Sequence, residues 1–485
     1  MLVLDADSLM TGECVVRLAA AMEADPDAGI IQSLPLIINR NTFFARLQQY
    51  AARVTGPVIA MGLAVWMGRD GNYWGHNAII RTRAFAEQGG LPDLKGKPPF
   101  GGHILSHDFV EAALLRRAGW DVYMLADLQG SYEESPPSLI DLAARDRRWC
   151  QGNLQHMRVI TAKGLKLPSR QHFATGIMGY LASPFWLFQL IVGIALVLQT
   201  TYIRPEYFAR DFRLFPVWPR FDPERALWLF AITMGILLAP KFFGLVLVLL
   251  DAKGRRACGG GIRLVISAFI EIILSALLAP IQMLIQSGSV FQILLGRDTG
   301  WQPQRRDDGS IPLRDIVRRH RWHTALGILA GISAFSIATS LFLWMSPTIL
   351  GLVLAIPLSW LSGQLGIGLA LKRWGLLITP EEARPPPIAT RANALQVEHE
   401  RLGLDDDDSL ASLHRDSSLR ERHEAMLPPS SPRQRGEIDP DRALAEAKIV
   451  EAETIDEAVA WLKPKERMVV LHDRALLDVL KRLKS

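Results

Sequence analysis

Cysteine is scarce in this sequence. The three cysteines, Cys14, Cys150 and Cys258, lie far apart and fit none of the spacings that bind zinc. The sequence therefore predicts neither a disulfide framework nor a cysteine metal site. Net charge is also modest, at +5, and we expect no nucleic-acid partner.

Charged residues are missing from long parts of the middle of the chain. About 20 apolar residues are enough to cross the hydrocarbon core of a bilayer as a helix. One of these uncharged stretches, residues 324–371, is long enough for two helices, with Ser346-Pro347 as the turn between them. We therefore predict about four full membrane spans. The stretches with no charge, or only Lys241, are 173–203, 226–250 and 324–371.

The segment 264–296 is apolar but contains Glu271, Pro280 and three glutamines. Polar groups are costly in lipid, so this segment is expected to face protein or the interface. Basic residues flank it on both sides, with seven arginines in 297–321, and the positive-inside rule places both flanks in the cytoplasm. The segment is therefore predicted to be an interfacial or re-entrant helix, or a short hairpin.

The chain divides into four predicted regions. The third region, residues 373–439, includes Pro385-Pro386-Pro387 and an acidic run, which are typical of a linker. The last region is either a helical module that binds a cytosolic protein partner or a solvated tail, with Met468–Leu471 as a short strand. The regions are a mixed α/β domain at 1–172, membrane helices at 173–372 with a cytoplasmic loop near 297–321, a disordered linker at 373–439, and a small module at 440–485.

The first chemical motif is Asp5-Ala6-Asp7, which follows the apolar run Leu2-Val3-Leu4. This order predicts a strand that brings two carboxylates to the edge of a sheet. Carboxylate oxygens at this spacing suit Mg²⁺ or Mn²⁺ when phosphates supply the remaining ligands. Taken alone, the motif also fits a helix cap or a turn.

Three further motifs follow before the membrane region. A glycine-containing turn runs into an apolar strand, an acid precedes a predicted helix, and a basic segment ends in tryptophan just before the first span. They are Tyr73 to Arg81 (YWGHNAIIR), Ser106 to Phe109 (SHDF) and Arg145 to Trp149 (RDRRW).

In this order, the four motifs resemble those of the family 2 inverting glycosyltransferases that make β-glycans, over roughly residues 1–375. Among these, the wording is similar to the bacterial glucosyltransferases of osmoregulated periplasmic glucan synthesis. The resemblance implies an α/β GT-A-like, Rossmann-like catalytic domain in the cytoplasm, followed by α-helices that cross the bacterial inner membrane. It implies UDP-glucose as donor, a growing glucan chain as acceptor, and the lipid bilayer as surroundings. Another processive synthase, of cellulose or hyaluronan type, and an inactive membrane scaffold are the alternatives.

The resemblance also assigns donor residues. Asp5 and Asp7 are expected to hold Mg²⁺ or Mn²⁺ against the two phosphates of UDP-glucose. Arg148 is expected to neutralise the diphosphate, because a planar guanidinium binds phosphate in a bidentate manner. Arg305 or Arg306, in a loop placed like the gating loop of related synthases, either contacts the diphosphate or is an ordinary basic loop residue.

On the acceptor side, the resemblance makes Asp108 the general base, with the dipole of the following helix favouring its ionised form. His107 is expected to shape the site or form hydrogen bonds. Trp149 is expected to offer a flat face to the acceptor sugar, or else to anchor the chain at the membrane interface. Four polar residues then form either further acceptor contacts or a wet interfacial helix face: Gln151, Asn153, Gln155 and His156.

The same family holds uracil and ribose with strands and an aspartate that precede Asp-x-Asp. Because Asp5 stands near the first residue, we expect the donor site to be incomplete at its N-terminal side. The corresponding expectation is an N-terminally truncated or mis-started form of a larger enzyme, with very weak or no activity.

Overall fold

The computed structural model of the chain describes residues 1–203, 223–297, 308–402, 408–428 and 439–484. It contains two compact units, Met1–Ile388 and Ala389–Ser485. The first unit includes both the mixed α/β part and the long apolar helices. The predicted boundary at 172/173 falls inside one continuous helix, so the structure places no break there.

The strands of the first unit form two small sheets. In the four-stranded sheet the order is β1-β5-β3-β6, with β3 and β6 parallel and the other pairs antiparallel. In the three-stranded sheet the order is β2-β7-β4. The strands are β1 Leu2–Val3, β2 Leu9–Met10, β3 Ala28–Ser33, β4 Leu36–Ile37, β5 Ala78–Ile80, β6 Asp121–Leu125 and β7 Ser131–Glu133.

Strand β3 is buried along its whole length because helices cover both faces of its sheet. Ile30 packs in a cluster with Leu115, and its neighbour Ile31 packs in another with Leu18. Successive side chains of a strand point to opposite faces, so this alternation fixes the sheet between two helical layers. The helices of this part are α1 Gly12–Ala24, α2 Phe43–Val54, α3 Gly56–Met67, α4 Thr82–Gln88, α5 His107–Arg117 and α6 Leu139–Val159.

Long apolar helices follow. Among the described residues, three helices are long and apolar enough to cross a membrane, and up to five if each of two bent helix pairs counts as one span. The first two coincide with the predicted spans at 173–203 and 226–250. The helices are α7 Leu167–Tyr202, α8 Pro223–Leu250, α9 Ala252–Ala257, α10 Gly261–Leu294, α11 Leu313–Ile337, α12 Thr339–Val353, α13 Ala355–Ser362, α14 Leu365–Arg373 and α15 Pro380–Ala383.

The ambiguous segment 264–296 is one continuous helix, α10, so the hairpin alternative is wrong. Its acidic residue, Glu271, is buried against Lys241 of α8, with the Lys241 Nζ 2.5 and 2.7 Å from the two Glu271 carboxylate oxygens. Ser275 donates a further hydrogen bond to Glu271 at 2.7 Å. The acidic residue of α10 thus faces a neighbouring helix, and α10 continues over 34 residues.

The predicted turn at Ser346-Pro347 is also wrong, because Pro347 lies inside α12 and the break falls at Ala338 instead. Proline lacks the N–H that would bond to the carbonyl of Leu343. The hydroxyl of Ser346 donates to that carbonyl at 2.8 Å, which supplies the missing partner.

The second unit is helical, and its core extends beyond the predicted module at 440–485. Leu410 and Leu413 share one buried cluster with Ile449 and Leu476. Much of the predicted linker 373–439 is therefore ordered, and Met468–Leu471 is helical rather than a strand. The helices from residue 387 onward are α16 Pro387–Leu402, α17 Ser409–Arg415, α18 Ser417–Met426, α19 Pro440–Glu451, α20 Ile455–Trp461, α21 Pro464–His472 and α22 Arg474–Leu480.

Candidate active site

Asp5 and Asp7 lie in the turn that joins the two sheets. Strand β1 pairs with β5 and β2 pairs with β7, and the backbone N–H of Ser8 closes the turn on the carbonyl of Asp5 at 3.0 Å. Asp5 is exposed and Asp7 is partly buried. The expected arrangement, a short strand that delivers two carboxylates to a sheet edge, is therefore present.

A third acid, Glu133, lies next to this turn at the end of β7. Burial raises the pKa of Glu133, and the charges of Asp7 and Asp5 act on it in the same direction. His76 stands opposite, with its Nε2 3.5 Å from a Glu133 carboxylate oxygen. The sequence motifs did not single out Glu133. The available signal was the position of Glu133 at the end of β7, the strand that pairs with β2.

Asp108 is the second residue of α5, and Ser106 occupies the N-cap position. Burial raises the pKa of Asp108 to about 6. The backbone hydrogen bonds of Asp108 and the nearby His107 lower this pKa, but their effect is smaller than that of burial. The sequence argument weighed only the helix dipole, and desolvation outweighs that effect here. Gly75, at a φ of +96°, packs against the carboxylate: a Cβ there would be in van der Waals contact with it, 3.5 Å from Asp108 Oδ2.

Tyr73 is a buried side chain that the charges of both Asp108 and Asp5 reach. Its ring is 1% exposed, and burial raises the pKa of its hydroxyl. The charges of Asp108 and Asp5 both raise it further, so the two carboxylates lie within electrostatic range of one buried phenol. Asp108 and the first acid of the Asp-x-Asp motif therefore act on the same buried side chain.

His107 points to a neighbour on its own helix. Its Nδ1 lies 3.0 Å from a carboxylate oxygen of Glu111, and this hydrogen bond raises the pKa of His107. The side chain is about half exposed, whereas Glu111 is buried. His107 is therefore placed for hydrogen bonding and shaping, at the surface of the site.

Of the basic segment on α6, Arg145 is the residue that faces the acids. Burial lowers its pKa, while Glu133 and Asp7 act in the opposite direction. Its guanidinium lies over the ring of Trp149, 4.4 Å from the ring centre. Trp149 remains 43% exposed, so one ring face is covered by arginine and other ring surface is open. Arg148 is partly buried on the same helix, one turn from Arg145.

The polar residues after Trp149 are buried, so neither a wet helix face nor an exposed acceptor surface describes them. Gln151 and Gln155 are 2% and 1% exposed, and His156 is completely buried. Gln155 and His156 bind the backbone of the loop before α5. The amide of Asn153 donates to the carbonyl of Trp149 at 3.0 Å. Sequence pattern alone could not separate these contacts from solvent contacts.

A buried arginine joins this site to the segment that begins at residue 308. Arg40 donates to Glu134 at 2.7 Å and to Asp308 at 3.4 Å. Glu134 directly follows Glu133 of the acidic cluster. Arg305 and Arg306, one of which was expected either to contact the diphosphate or to be an ordinary basic loop residue, lie outside the described residues.

The acidic groups suit a hard divalent cation. Within the described ranges, no three histidine, cysteine or acidic side chains already form a metal-binding group. Asp5 and Asp7 instead provide two carboxylates, and Glu133 is a third acid within their electrostatic range. Mg²⁺ and Mn²⁺ accept few protein ligands when phosphate oxygens complete the shell, so this donor set fits them.

Comparison with known proteins gives consistent matches. Residues 1–242 match the family model described as glycosyl transferase family group 2. The chain is 52% identical over 484 residues to the glucans biosynthesis glucosyltransferase H of Shewanella sp. (strain ANA-3), and 52% identical to that of Shewanella oneidensis. The Shewanella baltica (strain OS155) protein of the same name is 51% identical. These alignments cover 100% of this chain but 66% of each relative, so the chain spans about two thirds of their length.

Proposed function

The chain belongs to glycosyl transferase family group 2, and from this premise we propose that it acts as a membrane-bound inverting β-glucosyltransferase. It moves glucose from UDP-glucose to a growing β-glucan, the backbone of an osmoregulated periplasmic glucan. The observation that carries the proposal is that Asp5 acts on Tyr73 together with Asp108 and on Glu133 together with Asp7, in a chain that also contains long apolar helices. Relatives named glucans biosynthesis glucosyltransferase support the substrate class.

In this proposal Asp5 and Asp7 hold Mg²⁺ or Mn²⁺ together with the diphosphate of the donor. When bound, the ion offsets the negative charge that develops on the UDP leaving group. Arg148 adds positive charge to the diphosphate from α6. Arg145 faces Asp7 and Glu133, so it screens the acids on the protein side of the same site.

Asp108 is the general base. Its carboxylate takes the proton from the acceptor hydroxyl as that oxygen attacks the anomeric carbon from the face opposite UDP, which inverts the configuration. A pKa of about 6 leaves Asp108 ionised at neutral pH but more basic than an ordinary carboxylate. Proton transfer is most efficient when the pKa of the base lies near the working pH.

Trp149 binds the acceptor sugar by stacking on its exposed ring surface. The guanidinium of Arg145 covers part of the ring and holds it in one orientation. Because Trp149 lies on α6 and the first apolar helix begins at Leu167, the acceptor site is close in sequence to the membrane region.

We further assign the two sheets and their covering helices to part of a GT-A-like domain in the cytoplasm, with the apolar helices in the bacterial inner membrane. Strands β3 and β6, parallel and buried between helical layers, support a Rossmann-like arrangement. The basic residues of α9 support a cytoplasmic position for that segment.

The test is glucose transfer in membrane vesicles that contain the protein, measured with radiolabelled UDP-glucose. We expect labelled β-glucan from the unaltered protein, loss of product after chelation with EDTA, and recovery on addition of Mg²⁺ or Mn²⁺. Asp108→Asn keeps the shape of the side chain and is expected to lower the rate by at least 100-fold, about the contribution of a general base. Product from UDP-N-acetylglucosamine instead of UDP-glucose would favour another processive synthase. No transfer from any UDP-sugar would refute an enzymatic function for this chain.

A further inference from the structure

Helix α6 approaches the loop before α5 unusually closely at Gly152. A Cβ at this position would lie 2.2 Å from the hydroxyl oxygen and 2.7 Å from the backbone nitrogen of Ser106. A glycine inside a helix costs about 1 kcal/mol relative to alanine. The contact with Ser106 explains why this helix contains one, and it places the α6 backbone directly against the N-cap of α5.

One turn further along α6, Gln155 and His156 bind the backbone of the same loop. His156 Nε2 lies 3.0 Å from the carbonyl oxygen of Ser106. The Gln155 amide donates to the carbonyl of His103 at 3.2 Å and accepts from the N–H of Leu105 at 3.0 Å. Three hydrogen bonds therefore fix the path of residues 103–106, and Ser106 is two residues before Asp108.

His156 makes this contact as a neutral ring. A carbonyl can only accept, so the hydrogen is on Nε2, and Nδ1 has no partner among the described residues. The ring packs between Phe109 and Phe173, with ring centres 5.4 and 4.8 Å away. Burial lowers the pKa of His156 to about 4, so the ring stays uncharged over the pH range in which a transferase is assayed.

We infer that His156 and Gln155 are positioning residues. From α6 they hold the 103–106 loop, so that Asp108 at the start of α5 meets the acceptor, which is bound on α6. This inference rests on the proposed function. Helix α6 carries Arg145 and Trp149 on one segment and the loop contacts on the next, so one rigid element sets the distance between acceptor and base. A misplacement of about 1 Å in such a geometry can lower a rate by about 100-fold.

His156→Phe tests this directly, because phenylalanine keeps a ring between Phe109 and Phe173 but cannot donate to Ser106. We expect kcat to fall by about 10-fold to 100-fold, with the KM for UDP-glucose within about twofold of the unaltered protein. His156→Gln can still present an N–H near the Nε2 position, and it is expected to recover a large part of kcat.

The matched control is His172→Phe. His172 is also a buried histidine, 7% exposed, whose Nε2 lies 2.8 Å from a backbone carbonyl, that of Asp70. It binds no residue of the 103–106 loop in the described structure. A fall in kcat that is equal in His172→Phe and His156→Phe would indicate general destabilisation and would overturn the inference, as would an unchanged kcat in His156→Phe.

The pH profile supplies a readout that loss of stability would not move. The charges of His107 and Glu111 shift the pKa of Asp108. The charges of Asp108 and Asp5 both raise the pKa of Tyr73. If the loop shifts and Asp108 becomes more exposed, the acid-side midpoint of kcat moves from about 6 toward lower pH. Unaltered protein and Asp108→Asn are assayed in the same membranes. Inactive unaltered protein would refute the proposed function, whereas active unaltered protein with an unperturbed His156→Phe would refute the positioning role alone.

Discussion

The ionisation of Asp108 predicts a steep loss of glucose transfer in mild acid. With a pKa of about 6, the carboxylate is about 90% ionised at pH 7 and about 10% ionised at pH 5. A rate that depends on this carboxylate should therefore fall about ninefold over that interval. An aspartate with the ordinary pKa of 3.8 would lose only about 5%. The initial rate at saturating UDP-glucose, measured in membrane vesicles from pH 5 to pH 8, distinguishes the two cases.

Two checks make the pH experiment specific. Vesicles held at pH 5 and returned to pH 7.5 must recover their rate, since irreversible unfolding would imitate the acid loss. His107 lowers the pKa of Asp108, so His107→Asn is expected to move the midpoint to higher pH. A rate at pH 5 that exceeds half of the rate at pH 7 would refute the reasoning, and so would a midpoint that moves to lower pH in His107→Asn.

The same burial has a stability consequence. The folded chain binds a proton at Asp108 more tightly than the unfolded chain does, so ionisation of Asp108 costs stability as the pH rises from about 4 through 6. Above pH 6, a pKa raised by roughly two units lowers the free energy of unfolding by at most about 3 kcal/mol. Asp108→Asn should therefore be inactive yet at least as resistant to heat at pH 7.5, with the difference from the unaltered protein shrinking toward pH 4.

Three further outcomes follow from other contacts. Arg148→Gln is expected to raise the KM for UDP-glucose about tenfold, because a charge-assisted bond to phosphate contributes about 1.5–3 kcal/mol; an unchanged KM would exclude Arg148 as a diphosphate ligand. Lys241→Met should destabilise the detergent-solubilised protein by about 3–5 kcal/mol by leaving Glu271 buried without its cation, and the added change Glu271→Leu should restore most of that loss. Leu410→Ala should expose the second unit to limited proteolysis, since Leu410 is 0% exposed, whereas Leu419→Ala, at a 39% exposed position, should leave the cleavage pattern unchanged.

Local sequence patterns predicted well the strand and the helix that carry the candidate site residues. The apolar run before Asp5 forms strand β1, and the acid before Val110 lies at the start of α5, because alternation and helix-start signals act within a few residues. The two helices at 167–202 and 223–250, which are long and apolar enough to cross a membrane, were predictable from the lack of charge alone. These features depend on short-range sequence order, which a single chain displays directly.

Properties that depend on distant packing were not predictable in the same way. The pKa of Asp108 follows from burial by segments far along the chain, and the helix dipole visible in the sequence was the weaker effect. The hydrogen bond from His156 to Ser106 joins residues 50 positions apart. Pro347 looked like a turn, but the hydroxyl of Ser346 compensates for its missing N–H inside a helix. In each case, a partner that is not adjacent in sequence, or a side-chain bond to the backbone, changed the outcome.

The ion pair between Lys241 and Glu271 bears on how the protein enters its membrane. Each residue is the single ionisable side chain in the apolar part of its helix, and an unpaired charge at the centre of an inserting helix costs about 2.5–3.5 kcal/mol. Helix α8 leaves the ribosome before α10, so its lysine has no acid to neutralise it until the second helix is made. Stable insertion of α8 is therefore expected to wait for α10. A ribosome stalled between the two helices should leave α8 more easily extracted from the membrane by alkaline carbonate than a nascent chain that contains both.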